Sequence, residues 1–534
     1  MPRDINISIV RVDAHAQPVP ANISHRDNIR KVLLIQPPAF SNNLRGDMNP
    51  NAPLGIAYIA AVLERAGYEA KILDAFIEGW HTEQRITPEK MLVGLPFEEI
   101  KKIVASESPD VVGITSMFTS QRKNAYRVAE LVKEIDSSIT VLVGGAHPTS
   151  APESVLAEAS VDIAILGEGE NTIIPLLRCI EKDGDLTEID GIGYRDCNGQ
   201  PVVQPKTSQI EDLDSIPFPA RHLLPMEKYF AAGVRHGGYS KGKRSASMIT
   251  SRGCQYKCNF CTAFKVFTRR PRMRSIENVL AEIEELVTRY GVDEVFFEDD
   301  QLVAKQRRTG DLFDAIAHRF NISWDTPNGV SPWLLTEDII TKMKNSGCYR
   351  INLAIESGVQ DVLDSIINKP VKLEQIPGLV KLIRKYGIEV GIFLVVGNVG
   401  ENRVETLDEI RKSFRFARLI RIIPHASILT AYPGSEVLEI AKRKKYLVPG
   451  FDWDNLIIQK PQLQTPEWSP EELKVLVERE MLKTRLWIWL VSPLQTIHVV
   501  GQHFIRDPKL TLIKVFRFLL HAVNSFVKPL LGGK

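Results

Sequence analysis

Ser251-Arg-Gly-Cys-Gln-Tyr-Lys-Cys-Asn-Phe-Cys-Thr262 sets Cys254, Cys258 and Cys261 in a C-x3-C-x2-C spacing. Three thiolates on so short a loop can converge on one metal centre. A structural zinc takes four protein ligands, and no histidine or further cysteine lies between Thr262 and Asp311. A cubane iron–sulfur cluster held by three cysteines leaves one iron open to a substrate, and soft thiolates suit it. Lys257 and Arg252 are expected to favour the thiolate form. The loop is read as the place where the chemistry starts.

Ala246-Ser-Met-Ile-Thr250 reads as a strand feeding this loop. After it, apolar strands alternate with helical stretches. The strands are Asp293-Glu-Val-Phe-Phe297, one that begins at Ile322-Ser-Trp324 and ends near Asn328-Gly329, Tyr349 to Ile355, Glu389 to Val396 and His425 to Leu429. Helices are expected over 275–290, 336–346, 373–386 and 404–419. That makes about six β/α units, too few for a full barrel, so a partial (β/α)6 TIM barrel is expected. Its strands end in Glu298-Asp-Asp300, Glu356-Ser-Gly358 and Gly397, where such folds carry function.

Upstream, strands at 31–36, 70–74, 110–115, 140–144 and 163–166 alternate with helices at 54–66, 97–106, 121–135, 153–159 and 172–182. This is an α/β pattern of a parallel, doubly wound, Rossmann-like sheet. Its strand ends read Ser116-Met-Phe-Thr-Ser120, Gly144-Gly-Ala-His-Pro-Thr149 and Gly167-Glu-Gly-Glu170. Small residues there either leave room for a large flat ligand or make tight turns. Tyr194 to Pro201 reads as strand, turn, strand, with Cys197 structural beside the turn, and Asp212 to Arg221 reads as a Pro-rich linker. Cys348 is expected in the core.

The chain has 534 residues, 44% hydrophobic and 25% charged, with a net charge of +2. This is ordinary globular composition. The charge argues neither for nor against a nucleic-acid partner, and no segment resembles a DNA-binding module, so none is expected. Six cysteines, three of them in one loop, are a metal pattern of a reducing, cytoplasmic compartment and not a disulfide framework. Residues 1–29 are polar, lack a signal-peptide core and are read as a mobile tail.

The C-x3-C-x-Phe-C pattern resembles the signature of the radical S-adenosylmethionine (SAM) superfamily. Gly144-Gly-Ala-His-Pro-Thr149 followed by Ile163-Ala-Ile-Leu-Gly-Glu-Gly-Glu170, and Asp212-Leu-Asp-Ser-Ile-Pro-Phe-Pro219, resemble the cobalamin-dependent members, whose cobalamin-binding domain precedes the radical SAM domain. The resemblance implies a tail at 1–29, a cobalamin-binding domain at 30–183, a linker at 184–244, a radical SAM domain at 245–440 and a helical C-terminal extension at 441–534. It implies a [4Fe-4S] cluster on Cys254, Cys258 and Cys261. It assigns SAM contacts to Phe260, Glu298, Asp299, Glu356, Ser357 and Gly397. It assigns cobalamin contacts to Ser116, Thr119, Gly144, Gly145, His147, Gly167, Glu168 and Gly169. Asp13 and His15 lack the glycine of a D-x-H-x-x-G motif, which fits a cofactor bound without a lower histidine. His147 then reads as a loop residue near the corrin, with cobalt ligation as the alternative.

By the same resemblance, the reduced cluster cleaves SAM, and the 5′-deoxyadenosyl radical removes hydrogen from an unactivated carbon. That carbon takes a methyl group from methylcobalamin, and a second SAM restores it. This implies a C-methyltransferase served by a flavodoxin- or ferredoxin-type reductant. A radical cyclase or rearrangement enzyme, and a sensor without turnover, are the alternatives. The substrate is read as a small molecule or a lipid. Arg269-Arg-Pro-Arg-Met-Arg274 is either an anion contact or a solvated face. A helix is expected over 470–490. Leu486 to Ile505 carries no Asp, Glu, Lys or Arg, and Thr511 to His521 is basic and amphipathic. These suggest peripheral membrane contact, a cover for a hydrophobic substrate, or packing on the barrel.

Overall fold

The first strand, β1 (Lys31–Gln36), is apolar on both faces, and each face meets its own helix layer. Val32 and Leu34 pack with the helices Leu54–Arg65 and Ile173–Glu181. Leu33 and Ile35 pack with Phe97–Glu107 and Arg122–Ile135. A strand buried on both sides belongs in a parallel sheet covered by helices. The computed structural model describes residues 28–493 except 42–47, 49, 88–89, 234–239 and 458. The expected tail lies, up to residue 27, outside the described residues.

Along the chain follow β2 (Ala39–Ser41), β3 (Glu69–Asp74), β4 (Glu83–Thr87), β5 (Lys90–Val93), β6 (Val111–Thr115), β7 (Thr140–Gly144) and β8 (Ile163–Ile165). The main sheet runs β3-β1-β6-β7-β8, all parallel. The winding reverses between β1 and β6, and a crevice opens beyond the carboxyl ends there. β2, β5 and β4 form a separate antiparallel sheet that the sequence reading did not contain.

The hairpin expected around Cys197 is β9 (Ile192–Arg195) and β10 (Pro201–Gln204). It extends the main sheet instead of standing in a linker, with β9 antiparallel to β8. Ile192 and Tyr194 are buried in that sheet's core, which draws the hairpin in. Cys197 is exposed on the turn and holds nothing together, contrary to its structural reading.

The second sheet is β11 (Ser245–Met248), β14 (Glu294–Phe297), β15 (Ser323–Val330), β16 (Cys348–Glu356), β17 (Glu389–Val396) and β18 (His425–Ile428), six parallel strands in sequence order. The helices Ile276–Tyr290, Gln306–Arg319, Glu337–Asn345, Ile376–Lys385 and Leu407–Leu419 connect them. This is the expected partial barrel, with Cys348 buried at the start of β16.

Helix Pro470–Val491 opens on a capping box, in which Ser469 and Glu472 satisfy each other's backbone N–H. It packs against Leu407–Leu419, and Arg418 reaches Glu480 at 3.0 Å. The first part of the C-terminal region therefore covers the open edge of the barrel. Among the described residues no helix is long and apolar enough to cross a membrane. The run from Leu486 begins in this helix; its remainder and Thr511 to His521 lie outside the described residues.

Candidate active site

The cysteine loop leaves β12 (Ser251–Arg252) and ends at the helix Ala263–Phe267. β12 pairs with β13 (Arg272–Met273), which pinches the loop at its base. Gly253 has φ +90°, and a Cβ there would stand 2.7 Å from the Arg270 carbonyl, so only glycine fits. The Asp299 carboxylate accepts the Thr250 hydroxyl at 2.8 Å and the Thr250 N–H, and Asp300 accepts the Gly253 N–H at 3.2 Å. Asn259, between two of the cysteines, donates its N–H to Ile367 O (3.3 Å) and its amide to Val399 O (2.9 Å).

All three thiols are partly buried. Burial pushes the Cys258 thiol up to about 11, and those of Cys254 and Cys261 upward too. The unloaded loop therefore holds protons that metal binding must displace. Arg252 and Lys257 are not the cations that oppose this: Arg252 is ion-paired elsewhere and Lys257 is exposed. The cation within electrostatic reach of all three thiols is Lys369, which carries no motif in the sequence. Among the described residues no three His, Cys, Asp or Glu side chains gather around a single-ion site.

Around the loop stand the barrel's strand ends. Glu298 accepts from Ser247 Oγ (2.9 Å) and Asn328 Nδ2 (3.1 Å), so three strand ends meet at its carboxylate. Glu356 has a left-handed φ of +62° and pairs with Lys369 Nζ at 2.6 Å. Phe260 packs on the barrel core. Three more of the expected SAM contacts are also engaged within the chain. Asp299 anchors the cysteine loop, as above. Ser357 is fully buried against Ser413 Oγ (3.2 Å) because the chain turns outward after Glu356. A Cβ at Gly397 would meet Leu473 at 2.7 Å, so this glycine makes room for the C-terminal helix.

Beside Gly397, Glu405 accepts two backbone N–H groups, from Gly397 and Asn398, and the Asn398 amide on one oxygen, while its other oxygen is unpartnered. Burial raises its pKa from 4.5 to about 7. A raised folded-state pKa means that the stabilisation is full below about pH 4.5 and is lost as pH rises through 7. Glu405→Gln should remove a pH-dependent component of roughly 3 kcal/mol between pH 5 and 8. Denaturant titrations at both pH values check this, and an unchanged pH slope would refute it.

In the first domain, Ser116 ends β6 at the switch point. Its Oγ is buried without a partner. A Cβ at Gly145 would stand 2.8 Å from Ser116 O, and Gly144 likewise carries no side chain over the strand end. Next to them Met117 and Phe118 are 49% and 67% exposed, an apolar ledge of the kind that marks a binding site. Gly167 donates to Thr149 Oγ1 (2.9 Å), and Gly169 packs on Ile59.

His147 is a correction. It is buried, its Nε2 meets Tyr126 OH at 2.9 Å and Ser154 Oγ at 3.2 Å, and its Nδ1 meets Thr119 Oγ1 at 3.2 Å. Burial, aided by Arg122, lowers its pKa to about 4, so the ring is neutral. Both nitrogens, and the Thr119 hydroxyl with them, are taken up by hydrogen bonds within the fold. His147→Ala should cost about 2 kcal/mol and leave the axial coordination of bound cobalamin unchanged. Paramagnetic resonance of the cobalt(II) form checks this; a nitrogen splitting lost in the variant would make His147 a ligand.

Glu168 is a second correction. Its carboxylate accepts Arg252 Nη1 (2.9 Å) and Arg272 Nη1 (2.6 Å), and Arg252 also reaches Glu170 (2.6 Å). All four side chains are buried or nearly so. The expected cofactor contact is a strut between the domains, built on the residue two places before Cys254. Arg274 pairs with buried Glu282, so Arg272 and Arg274 are structural, neither a solvated face nor a cofactor contact.

Residues 48–177 match the B12 binding domain, and residues 248–416 match the radical SAM superfamily. The cytidylyl-2-hydroxyethylphosphonate methyltransferase of Streptomyces wedmorensis is 33% identical over 479 residues, 84% of this chain and 89% of that protein. The chain belongs to the cobalamin-dependent radical SAM family. It is an enzyme whose cofactors are a [4Fe-4S] cluster, SAM and cobalamin. The hopanoid C-3 methylase of Methylococcus capsulatus, 23% identical over 482 residues, spans 89% of this chain and 84% of its own. The fold agrees with OxsB, a cobalamin-dependent SAM radical enzyme (TM-score 0.67, 15% identity, 94% of this chain and 73% of that one). It also agrees with the methyltransferase TsrM from Kitasatospora setae (TM-score 0.62, 18% identity, 79% and 77%).

The residues present fit these cofactors. Three thiols on one braced loop suit the cluster. The bare Ser116 Oγ, the side-chain-free Gly144 and Gly145, and the Met117–Phe118 ledge suit a broad, largely apolar macrocycle with polar edges.

Proposed function

We propose that this family member methylates an unactivated carbon of a small-molecule substrate. The observation that supports the reading is that the cysteine loop and the strand end assigned to cobalamin lie side by side. The helix Ala263–Phe267, which closes the cysteine loop, packs on the helix Ala146–Ser150 beyond β7. A Cβ at Gly167 would lie 3.7 Å from Val266 O, and Gly434 sits between Lys265 and Ser150. This proximity is what a substrate shared between the two cofactors requires.

When bound, the cluster and SAM supply a hydrogen-abstracting radical, and cobalamin supplies the methyl group. The chain's own part is placement and exclusion of water. Glu298 and Glu356 stand at the strand ends around the cysteine loop, Asp299 and Asp300 brace that loop, and Glu168 ties it to the first domain. Cobalamin contact is assigned to Ser116, Met117, Phe118, Gly144, Gly145, Gly167 and Gly169. SAM contact is assigned to Phe260, Glu298 and Glu356. A flavodoxin- or ferredoxin-type protein delivers the electron.

A cyclase reading draws on the anaerobic magnesium-protoporphyrin IX monomethyl ester cyclase of Rubrivivax gelatinosus, 28% identical over 368 residues but matched over only 62% of its length. The methyltransferase relatives align over more of both chains, which favours methylation. Product mass separates the two. Anaerobically reconstituted enzyme with a small-molecule extract should add one methylene unit to a substrate. A product of lower or equal mass would favour cyclisation or rearrangement.

A further inference from the structure

Lys369 lies outside every motif that the family resemblance brought forward, yet it is a buried cation held against the cysteine loop. Its Nζ is fixed by Glu356 Oε1 at 2.6 Å. It lies 5.9 Å from the centroid of the Trp333 ring, and Trp333 Nε1 in turn donates to the hydroxyl of Tyr256 on the cysteine loop at 2.7 Å. The backbone that carries it is unusual. Leu363–Ile367 is a π-helical turn, and Asn368 follows in the left-handed region at φ +64°. Such turns are rare and recur at functional sites, and an asparagine is one of the few residues that takes the left-handed bend cheaply. Together they reverse the chain and set Lys369 next to the strand end of β16. The same turn is tied to the cysteine loop, since Ile367 O accepts the Asn259 N–H at 3.3 Å. A methionine of like length would fill the volume without a charge to desolvate, but it would leave the Glu356 carboxylate without its cation.

We propose that Lys369 is the fixed counter-charge of the iron–sulfur cluster, setting its reduction potential. Three thiolates around the cluster core leave a net negative centre, and one-electron reduction adds another negative charge. A positive charge in a low-dielectric site favours the reduced form far more than one in water does. Asp300 and Glu356, the acidic groups near the thiols, act in the opposite sense. Glu356 holds the ammonium in place, so its position does not depend on a flexible four-carbon stem. This makes Lys369 a positioning residue that acts through the cluster.

The inference rests on the reading that the cysteine loop holds a cluster, which iron and sulfide content of the reconstituted wild-type chain reports separately. The test is a redox titration of the full chain, followed by paramagnetic resonance, without substrate or turnover. Lys369→Met should take up iron and sulfide as the wild type does. At a fixed ambient potential its ratio of reduced to oxidised cluster should fall about tenfold, 59 mV for a one-electron couple. Lys369→Arg, which keeps the charge, should stay within about twofold of wild type. Lys369→Met leaves Glu356 buried and unpaired. If it fails to fold, Lys369→Met with Glu356→Gln relieves that carboxylate and is compared with Glu356→Gln alone, against which the ratio should again fall. A cluster-loaded Lys369→Met chain, or that double variant against its single, with an unchanged ratio overturns the proposal. So does a Lys369→Arg chain shifted as far as the methionine variant.

Discussion

Glu168→Ala is expected to destabilise the folded chain by about 3–5 kcal/mol and to uncouple its two half-reactions. The carboxylate sits between Arg252 and Arg272, which approach it at 2.9 and 2.6 Å. Removing it leaves two buried guanidinium groups short of a partner. Arg252 keeps Glu170, and Arg272 keeps the carbonyls of Ile210 and Phe267, so the fold survives. The strut that sets the cysteine loop against the other domain is nonetheless lost. SAM cleavage should therefore persist while methylated product falls, giving 5′-deoxyadenosine in excess of product. Denaturant unfolding reads the first effect, and the ratio of 5′-deoxyadenosine to product reads the second. A loss below 1 kcal/mol with an unchanged ratio would show that the contact is idle.

Cys258→Ala is expected to abolish activity. It removes one of the three thiolates, and no other cysteine is close enough in the chain to replace it: Cys179, Cys197 and Cys348 lie on other elements. Iron and sulfide uptake should collapse, and SAM cleavage should fall by at least about 10³-fold, since the protein has no alternative route to the radical. Cobalamin uptake should be unaffected, because the residues proposed for it lie at or beyond the ends of β6, β7 and β8, away from the cysteine loop's own thiols. Retained cluster and retained cleavage in this variant would remove the loop from the mechanism.

What the sequence disclosed follows from where the information sits. The cysteine spacing is itself the chemistry, so it could be read directly. The strands of both sheets were legible because a strand buried on two faces is an unbroken apolar run, as in β1. Side-chain direction was not legible. Asp299 and Ser357 lie at the strand ends where contacts were expected, but tertiary packing turns one to Thr250 and the other to Ser413. Gly397 is small because Leu473, far along the chain, packs on it. Glu168 looked like part of a cofactor turn until two arginines from another domain closed on it. β4 was invisible because every residue of Glu83–Thr87 is exposed, leaving no alternation to read. Lys369 owes its place to a π-helical turn, which no residue pattern announces.

The most direct measurement of the central claim follows the methyl group. Reconstituted enzyme, a one-electron reductant, cobalamin and an extract of small molecules are incubated without oxygen with methyl-deuterated SAM. The expected result is a product heavier by one labelled methyl group, formed in step with one 5′-deoxyadenosine and one S-adenosylhomocysteine. Formation of 5′-deoxyadenosine with no label in any product would contradict it.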